Sequence, residues 1–146
     1  MKYVFYTDGA TEGPNGKLGT VKFIGVGFHC PELDYEFSVR TPGRSNNDAE
    51  FKALLLAMGY ARERGLKEVE FRSDSRITIN RANGARPTSA KFKNERMDFL
   101  QDCIMQLKKS FDKCTFTWVP REHNRKADIL SKRKLLNQNS YGKFTT

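Results

Sequence analysis

Apolar and polar residues alternate in three segments near the start of the chain, and this period of two predicts β-strands. Gly25 and Gly27 interrupt the second strand, which indicates either a close approach of another backbone or a bulge. Pro31 favours a turn between the second and third strands, so these two strands are predicted to form an antiparallel hairpin. The predicted strands cover residues 2–8, 19–30 and 34–41.

The rest of the chain alternates between segments with helical spacing and short strands. Helices are predicted at 47–65, 75–84, 91–111 and 124–136, strands at 66–74 and 113–120, and a loose tail at 137–146. Three leading strands followed by alternating helices and strands predict an α/β fold. Its mixed sheet would begin with antiparallel strands and carry helices on its faces.

Length, cysteine content and charge limit the class of protein. A chain of 146 residues is long enough to bury a core, and its three widely spaced cysteines indicate reduced thiols. No segment has the character of a membrane span or secretory signal, so we expect a cytoplasmic monomer without a membrane partner. The whole net charge of +9 lies after residue 80. This asymmetry indicates a nucleic acid partner, although charge that merely keeps the protein soluble is the alternative.

Four carboxylates lie where predicted elements begin or end: Asp8, Glu50, Asp74 and Asp128. Each has a structural explanation. Asp8 begins a turn signal, and Glu50 follows Asn47 at the spacing of a capping box. Asp74 is placed to cap the next helix, and Asp128 has a favourable charge for a helix N-terminus.

Taken together, the four carboxylates predict a metal site. Ends of strands and starts of facing helices meet at one rim of an α/β sheet, where ligand sites usually form. Carboxylates gathered there repel one another unless a hard cation such as Mg²⁺ neutralises them. Two such ions about 4 Å apart clamp the attacking and leaving oxygens of a phosphodiester displacement.

The segments that carry these carboxylates resemble the four motif blocks of the type I ribonuclease H family. They are YTDGA, NNDAEFKALLLAM, FRSDS and WVPREHNRKADILSK, in the family's order. The resemblance implies a ribonuclease H-like fold with a mixed five-stranded sheet of order 3-2-1-4-5 and helices on both faces. The domain would cover residues 1–136, followed by a flexible tail.

The resemblance also implies an activity, the hydrolysis of the RNA strand of RNA–DNA hybrids with two Mg²⁺ ions, for which Mn²⁺ would substitute. Asp8, Glu50, Asp74 and Asp128 match the family's acidic tetrad, and Asp8 would bridge both ions. Asp74 would share or orient the attacking water, and Glu50 would also contact the RNA 2′-hydroxyl. The products would carry 3′-hydroxyl and 5′-phosphate ends.

Residues near the first strand and first helix are candidates for recognising the 2′-hydroxyl that distinguishes RNA from DNA. Gly9 and Ala10 would let the sugar approach the backbone. Asn46 and Asn47 match the family's asparagine pair that reaches the minor groove, although turn and cap chemistry explains them equally well. Ser45 matches a family position whose hydroxyl faces a DNA phosphate.

Basic residues after the fourth strand are candidates for contacts with the DNA strand: Arg81, Arg86, Lys91 and Lys93. The sequence has no recognisable counterpart of the basic handle or the channel tryptophan found in some family members. Trp118 is instead predicted to lie in the core. Affinity for the hybrid would then be modest and sensitive to salt.

The segment before Asp128 departs from the best-known bacterial members, which carry a mobile histidine on a longer loop. The arrangement REHNRKAD resembles the short-loop branch of the family. His123 is a candidate for leaving-group protonation or product release, because imidazole titrates in the useful range; an exposed loop residue is the alternative. Two other functions stay open: a nuclease for double-stranded RNA or DNA junctions, and a binding module without turnover.

Overall fold

The computed structural model describes residues 1–12, 23–89, 91 and 94–141, the last six of these by their backbone alone. One five-stranded sheet has the order β3-β2-β1-β4-β5, which confirms the predicted fold class and strand order. β2 is antiparallel to both β1 and β3, whereas β4 and β5 run parallel to β1. The strands are β1 (Lys2–Thr11), β2 (Phe23–Cys30), β3 (Tyr35–Pro42), β4 (Glu68–Ser73) and β5 (Lys113–Trp118).

Four helices flank the sheet: α1 (Asn46–Glu63), α2 (Arg76–Ala82), α3 (Glu95–Lys108) and α4 (Arg125–Tyr141). α4 ends five residues beyond the predicted 136, and residues 142–146 of the predicted tail lie outside the described residues. Residues 19–22 of the predicted second strand also lie outside them. Within the part of the chain that the structure describes, no helix combines the length and the apolar character needed to cross a membrane.

The main core lies between the sheet and the first three helices. Phe5, Phe28 and Phe71 are fully buried on neighbouring strands, and the rings of Phe5 and Phe71 stack with centroids 5.3 Å apart. Phe51 and Leu54 of α1 are also fully buried in this core. Burial of these large apolar side chains is the main favourable contribution to folding.

Two glycines identify the face of the sheet on which each helix packs. A Cβ atom on Gly9 would lie 2.3 Å from the carbonyl carbon of Ala49 in α1. A Cβ atom on Gly27 would lie 2.4 Å from the amide nitrogen of Ser131 in α4. Gly27 is paired with Asp8, and adjacent residues of a strand point to opposite faces. α1 and α4 therefore pack on opposite faces of β1 and β2. The close backbone approach expected at Gly27 is confirmed.

β1 is longer than predicted, because Asp8 and Gly9 do not form a turn. Gly9 pairs with Val26, and the antiparallel ladder with β2 continues to Thr11. The pairing of β1 with β4 ends earlier, at Tyr6. Asp8 is therefore held within a strand, at the point where the sheet opens between β1 and the end of β4.

Candidate active site

Three of the four predicted carboxylates meet at this opening. Asp8, Glu50 and Asp74 each present an oxygen atom, and these oxygens all lie within 4.8 Å of one another. Asp128 lies beside them in the first turn of α4, where its carboxyl is close enough to that of Asp8 to raise the pKa of Asp8. Asp128 also forms an ion pair with Lys132 over 3.1 Å. The structure thus brings the predicted tetrad together, with Asp128 at its edge.

Glu50 does not take part in capping α1, so the predicted capping box with Asn47 is wrong. The cap is Ser45, whose Oγ accepts a hydrogen bond from the Asp48 amide over 3.1 Å. Glu50 Oε1 instead accepts a hydrogen bond from the amide of Gly9 over 3.2 Å. The close packing of α1 on Gly9 therefore brings Glu50 to β1.

Asp74 likewise does not cap α2, in contrast to the structural role considered from the sequence. Ser75 caps α2, since its Oγ accepts a hydrogen bond from the Thr78 amide over 3.2 Å. Trp118, predicted to lie in the core, is only half-buried and donates its indole N–H to the Asp74 carbonyl oxygen over 3.1 Å. The Arg76 guanidinium lies 3.7 Å from the centroid of its ring. Trp118 thus anchors the backbone that carries Asp74.

The surroundings of Asp8 and Glu50 raise the pKa of each carboxyl above its ordinary range. Burial raises the pKa of Asp8, and the charge of Asp74 and a hydrogen bond to Asp128 raise it further. Burial also raises the pKa of Glu50, together with the charges of Asp8 and Asp74. Both directions have the same physical cause: negative charge accumulates here in a poorly hydrated place.

The donor set suits a hard divalent cation. All three clustered ligands offer carboxylate oxygen, which Mg²⁺ and Mn²⁺ prefer over softer ligands. A cation of charge two would offset the repulsion that raises the pKa of Asp8 and of Glu50. The residues present therefore fit the metal that the sequence implied.

Asn124 and Ser131 belong to the site, although no functional role was predicted for them. Asn124 is buried and its Nδ2 donates to the Thr7 carbonyl oxygen over 2.9 Å. Ser131 Oγ donates to the Asp128 carbonyl oxygen over 2.7 Å and lies 3.5 Å from Asp8 Oδ2. Both residues lie in the last motif block, and nothing else in the sequence distinguished either of them.

The predicted RNA-sensing residues lie on the two elements that carry Asp8 and Glu50, or directly before them. Asn46 is exposed at the start of α1, and its Oδ1 accepts a hydrogen bond from the Thr11 hydroxyl over 3.0 Å. Asn47 follows it and is half-buried, whereas Ser45 is exposed and caps the helix. Ala10 lies in β1, paired with Gly25, rather than in a turn. Position 9 requires glycine because α1 packs so closely against it that a Cβ atom would have no room.

The remaining candidates are less closely tied to the site. Arg86 donates to Gln101 over 2.7 Å and to Asp102 over 2.6 Å, so its charge already serves the packing of α3. Lys91 is exposed, and Lys93 lies outside the described residues. His123 is exposed in a short 3-10 helix before α4.

Arg81, also expected near the DNA strand, is buried and pairs with Asp98 over 2.6 Å. Its guanidinium also donates to Gln101 over 3.2 Å. Arg81 and Arg86, the first two residues of the predicted basic cluster, therefore bind residues of α3 within the protein.

Comparison with curated proteins relates the chain to hydrolases. It is 27% identical over 132 residues to the putative hydrolase EbsB of Enterococcus faecalis, covering 89% of this chain and 91% of that protein. It is 32% identical over 134 residues to ribonuclease HI of Halobacterium salinarum, covering 89% of this chain. The chain spans 62% of the length of that ribonuclease.

Solved structures show the same fold. Ribonuclease H1 of Halobacterium salinarum has a TM-score of 0.76 at 24% identity, covering 94% of this chain and 99% of that one. LC11-RNase H1, solved in complex with an RNA/DNA hybrid, has a TM-score of 0.73 at 25% identity with the same coverage of both chains. A model of the reverse transcriptase-like family matches residues 34–134. The resemblance seen in the sequence is thereby confirmed: the chain belongs to the reverse transcriptase-like family, and these relatives and structures support its place among the type I ribonucleases H.

Proposed function

We propose that this protein hydrolyses the RNA strand of RNA–DNA hybrids by a two-metal-ion mechanism. The observation that carries the proposal is the cluster of Asp8, Glu50 and Asp74, whose oxygens lie within 4.8 Å of one another. The complex of LC11-RNase H1 with an RNA/DNA hybrid supports the choice of substrate. Mg²⁺ is the proposed ion, with Mn²⁺ as a substitute.

The four carboxylates have separate roles in this proposal. Bound cations supply Lewis acidity at the phosphate and lower the pKa of water. Asp8, Glu50, Asp74 and Asp128 would hold the ions, and Asp8 would be the central ligand because the other three carboxyl groups all act on its own. Asp74 orients the attacking water, and the half-buried Glu50 reaches the RNA 2′-hydroxyl. The water loses a proton to solvent and attacks phosphorus, the bond from phosphorus to the RNA 3′-oxygen breaks, and that oxygen takes a proton from solvent. The products then carry 3′-hydroxyl and 5′-phosphate ends.

The Asn46 side chain supports the preference for a hybrid. Because its Oδ1 accepts a hydrogen bond from Thr11, the amide N–H groups are left as donors at the exposed start of the helix that carries Glu50. The minor groove presents base acceptors, and in RNA also the 2′-hydroxyl. A donor at this position is therefore suited to reading the minor groove near the scissile phosphate.

The direct test uses a hybrid, a DNA duplex and an RNA duplex with both strands labelled, in Mg²⁺ or in Mn²⁺. We expect cleavage of the RNA strand of the hybrid alone, and loss of cleavage in Asp8→Asn, Asp74→Asn and Glu50→Gln. Glu63→Gln is the matched control, since Glu63 is an exposed acid at the other end of α1.

The ends of the products test the chemistry independently. We expect the new 5′ ends to accept a radioactive phosphate from a kinase only after phosphatase treatment, because each already carries a phosphate. Cleavage that persists in Asp8→Asn would contradict the site, and wild-type protein that binds the hybrid without cutting it would show a binding module instead.

A further inference from the structure

Asn124 lies where the chain segments that carry the three aspartates meet. Its side chain is 1% exposed, in the turn between the 3-10 helix Arg121–His123 and α4. Its Nδ2 donates to the Thr7 carbonyl oxygen over 2.9 Å, and Thr7 directly precedes Asp8 in β1. A single amide therefore fixes the position of the strand next to its central carboxylate.

The same residue reaches the two other aspartates. The Asn124 side chain also lies close enough to the carboxyl of Asp74, at the end of β4, to offset part of the rise in the pKa of that carboxyl. Its main-chain carbonyl oxygen accepts a hydrogen bond from the Asp128 amide over 3.1 Å, in the first turn of α4. Asn124 is thus hydrogen-bonded to β1 and to the first turn of α4, and it lies beside the carboxyl at the end of β4.

One atom of this amide is left without a partner. Asn124 Oδ1 is the single buried side-chain nitrogen or oxygen, among the residues that the structure describes, with no hydrogen bond. An unsatisfied buried acceptor costs about 1–3 kcal/mol, so such an atom calls for an explanation. Divalent cations such as Mg²⁺ keep several of their waters when bound, and these waters are strong donors.

We propose that Asn124 is a positioning residue of the metal centre. Its Nδ2 sets the spacing of the aspartates, and its Oδ1 accepts a hydrogen bond from a water in the hydration shell of a bound cation. The inference rests on the metal ions of the proposed function but not on the identity of the nucleic acid. Outer groups of this kind contribute to metal affinity without touching the ion.

A purely structural asparagine would behave differently. It would hold β1 against α4, so its loss would lower the free energy of unfolding and leave metal affinity unchanged. Gln101 provides the matched control, because it is also a buried amide, at 2% exposed, that donates to a main-chain carbonyl oxygen, that of Arg81, over 2.7 Å. It lies between α2 and α3, outside the carboxylate cluster.

The experiment measures Mn²⁺ affinity by titration calorimetry and by the electron paramagnetic resonance signal of free Mn²⁺, with the thermal midpoint in EDTA alongside. We expect Asn124→Ala to weaken Mn²⁺ binding by about 10–100-fold. We expect Gln101→Ala to lower the thermal midpoint while its Mn²⁺ affinity stays that of the wild type.

A second variant keeps the inference testable if Asn124→Ala fails to fold. Asn124→Gln retains an amide but displaces both of its polar atoms, so it is also expected to bind Mn²⁺ more weakly. Wild-type affinity in a folded Asn124→Ala, or in Asn124→Gln where the alanine variant does not fold, would overturn the inference.

The two proposals fail in different ways. Wild-type protein that binds no Mn²⁺ would overturn this inference together with the metal centre. Weaker Mn²⁺ binding by the Asn124 variants would support the inference even where the wild type leaves hybrids uncut, and the absence of cutting would then overturn the proposed substrate alone.

Discussion

Asp8 and Asp128 are neighbouring carboxylates in very different surroundings. Asp8 is 4% exposed and is surrounded by other carboxyl groups. The Asp128 side chain is 30% exposed and is paired with Lys132. Without metal, the buried carboxylates therefore destabilise the fold more than the exposed Asp128 does. Neutralising the charge of Asp8 should stabilise the fold.

We predict that Asp8→Asn raises the thermal midpoint in EDTA at pH 8, and by more than Asp128→Asn does. The expected gain is about 1–2 kcal/mol, well below what the rise of the Asp8 pKa to about 8 would give at about 1.4 kcal/mol per unit, because the buried amide of the asparagine must itself find hydrogen-bond partners. For a chain of this size that is roughly 2–8 °C. Circular dichroism melts of both variants would measure the difference.

Glu63→Gln serves as the neutral reference for these melts, because Glu63 lies on the surface away from the cluster. A lower midpoint for Asp8→Asn would show that Asp8 stabilises the metal-free fold. An equal gain for the two aspartates would contradict the protection that we attribute to Lys132.

At the scale of elements, the site depends on how closely two helices approach the sheet. α4 lies so near β2 that a Cβ atom on Gly25 would be 1.8 Å from the Ser131 carbonyl oxygen, and one on Gly27 is excluded in the same way. The atoms in the way belong to the backbone of α4, which cannot rotate aside. Because α4 carries Asp128, the contact that packs the helix also places a carboxylate.

We predict that Gly27→Ala lowers the free energy of unfolding by about 1–3 kcal/mol, the usual cost of overpacking. It should also reduce hybrid cleavage, because α4 must move away from β2. Gly59→Ala is the matched control, since a Cβ atom at Gly59 in α1 meets nothing within 4 Å. This variant should gain about 0.5–1 kcal/mol, the usual difference between glycine and alanine in a helix.

Urea unfolding of both variants, with cleavage assayed in parallel, would test this prediction. Equal stability of Gly27→Ala and wild type would show that α4 shifts without cost. Loss of stability with full activity would show that the position of α4 is not coupled to the site.

The same elements show where local patterns succeed and fail. Among the described residues, sequence patterns identified the five strands and the four α-helices, because each of these elements buries one face on the core, but they did not identify the 3-10 helices. They could not choose between neighbouring polar residues as caps, so Ser45 and Ser75 replaced Asn47 and Asp74. They also ended β1 at Asp8, because a ladder with β2 is a contact between strands and leaves no local sign.

At the scale of the whole molecule, the buried carboxyl groups link stability to pH. The pKa of Asp8 and of Glu50 is raised in the folded protein. Above the ordinary pKa of about 4, the unfolded chain has released these protons while the folded chain still holds them. The folded state then binds more protons, so stability falls as pH rises towards the raised pKa values.

We therefore predict that the thermal midpoint in EDTA decreases as the pH rises from about 5 to about 8. This decrease adds to any change that other titrating groups cause. The stabilisation by Mg²⁺ should grow over the same range, because binding requires deprotonated carboxylates. Melts at several pH values, with and without Mg²⁺, would measure both effects. Asp8→Asn should flatten the EDTA profile, and an unchanged slope in that variant would contradict the assignment.

The sequence by itself determined the elements, the family and the four carboxylates, because periodicity and motif blocks are written in neighbouring residues. The tertiary structure alone decided what those residues contact. It placed Gly9 against Ala49 of α1, and it placed the Arg86 guanidinium within hydrogen-bond distance of Gln101 in α3. It also brought Asn124 to Thr7, 117 positions away. Such contacts depend on which surfaces meet after folding, and no local pattern records them.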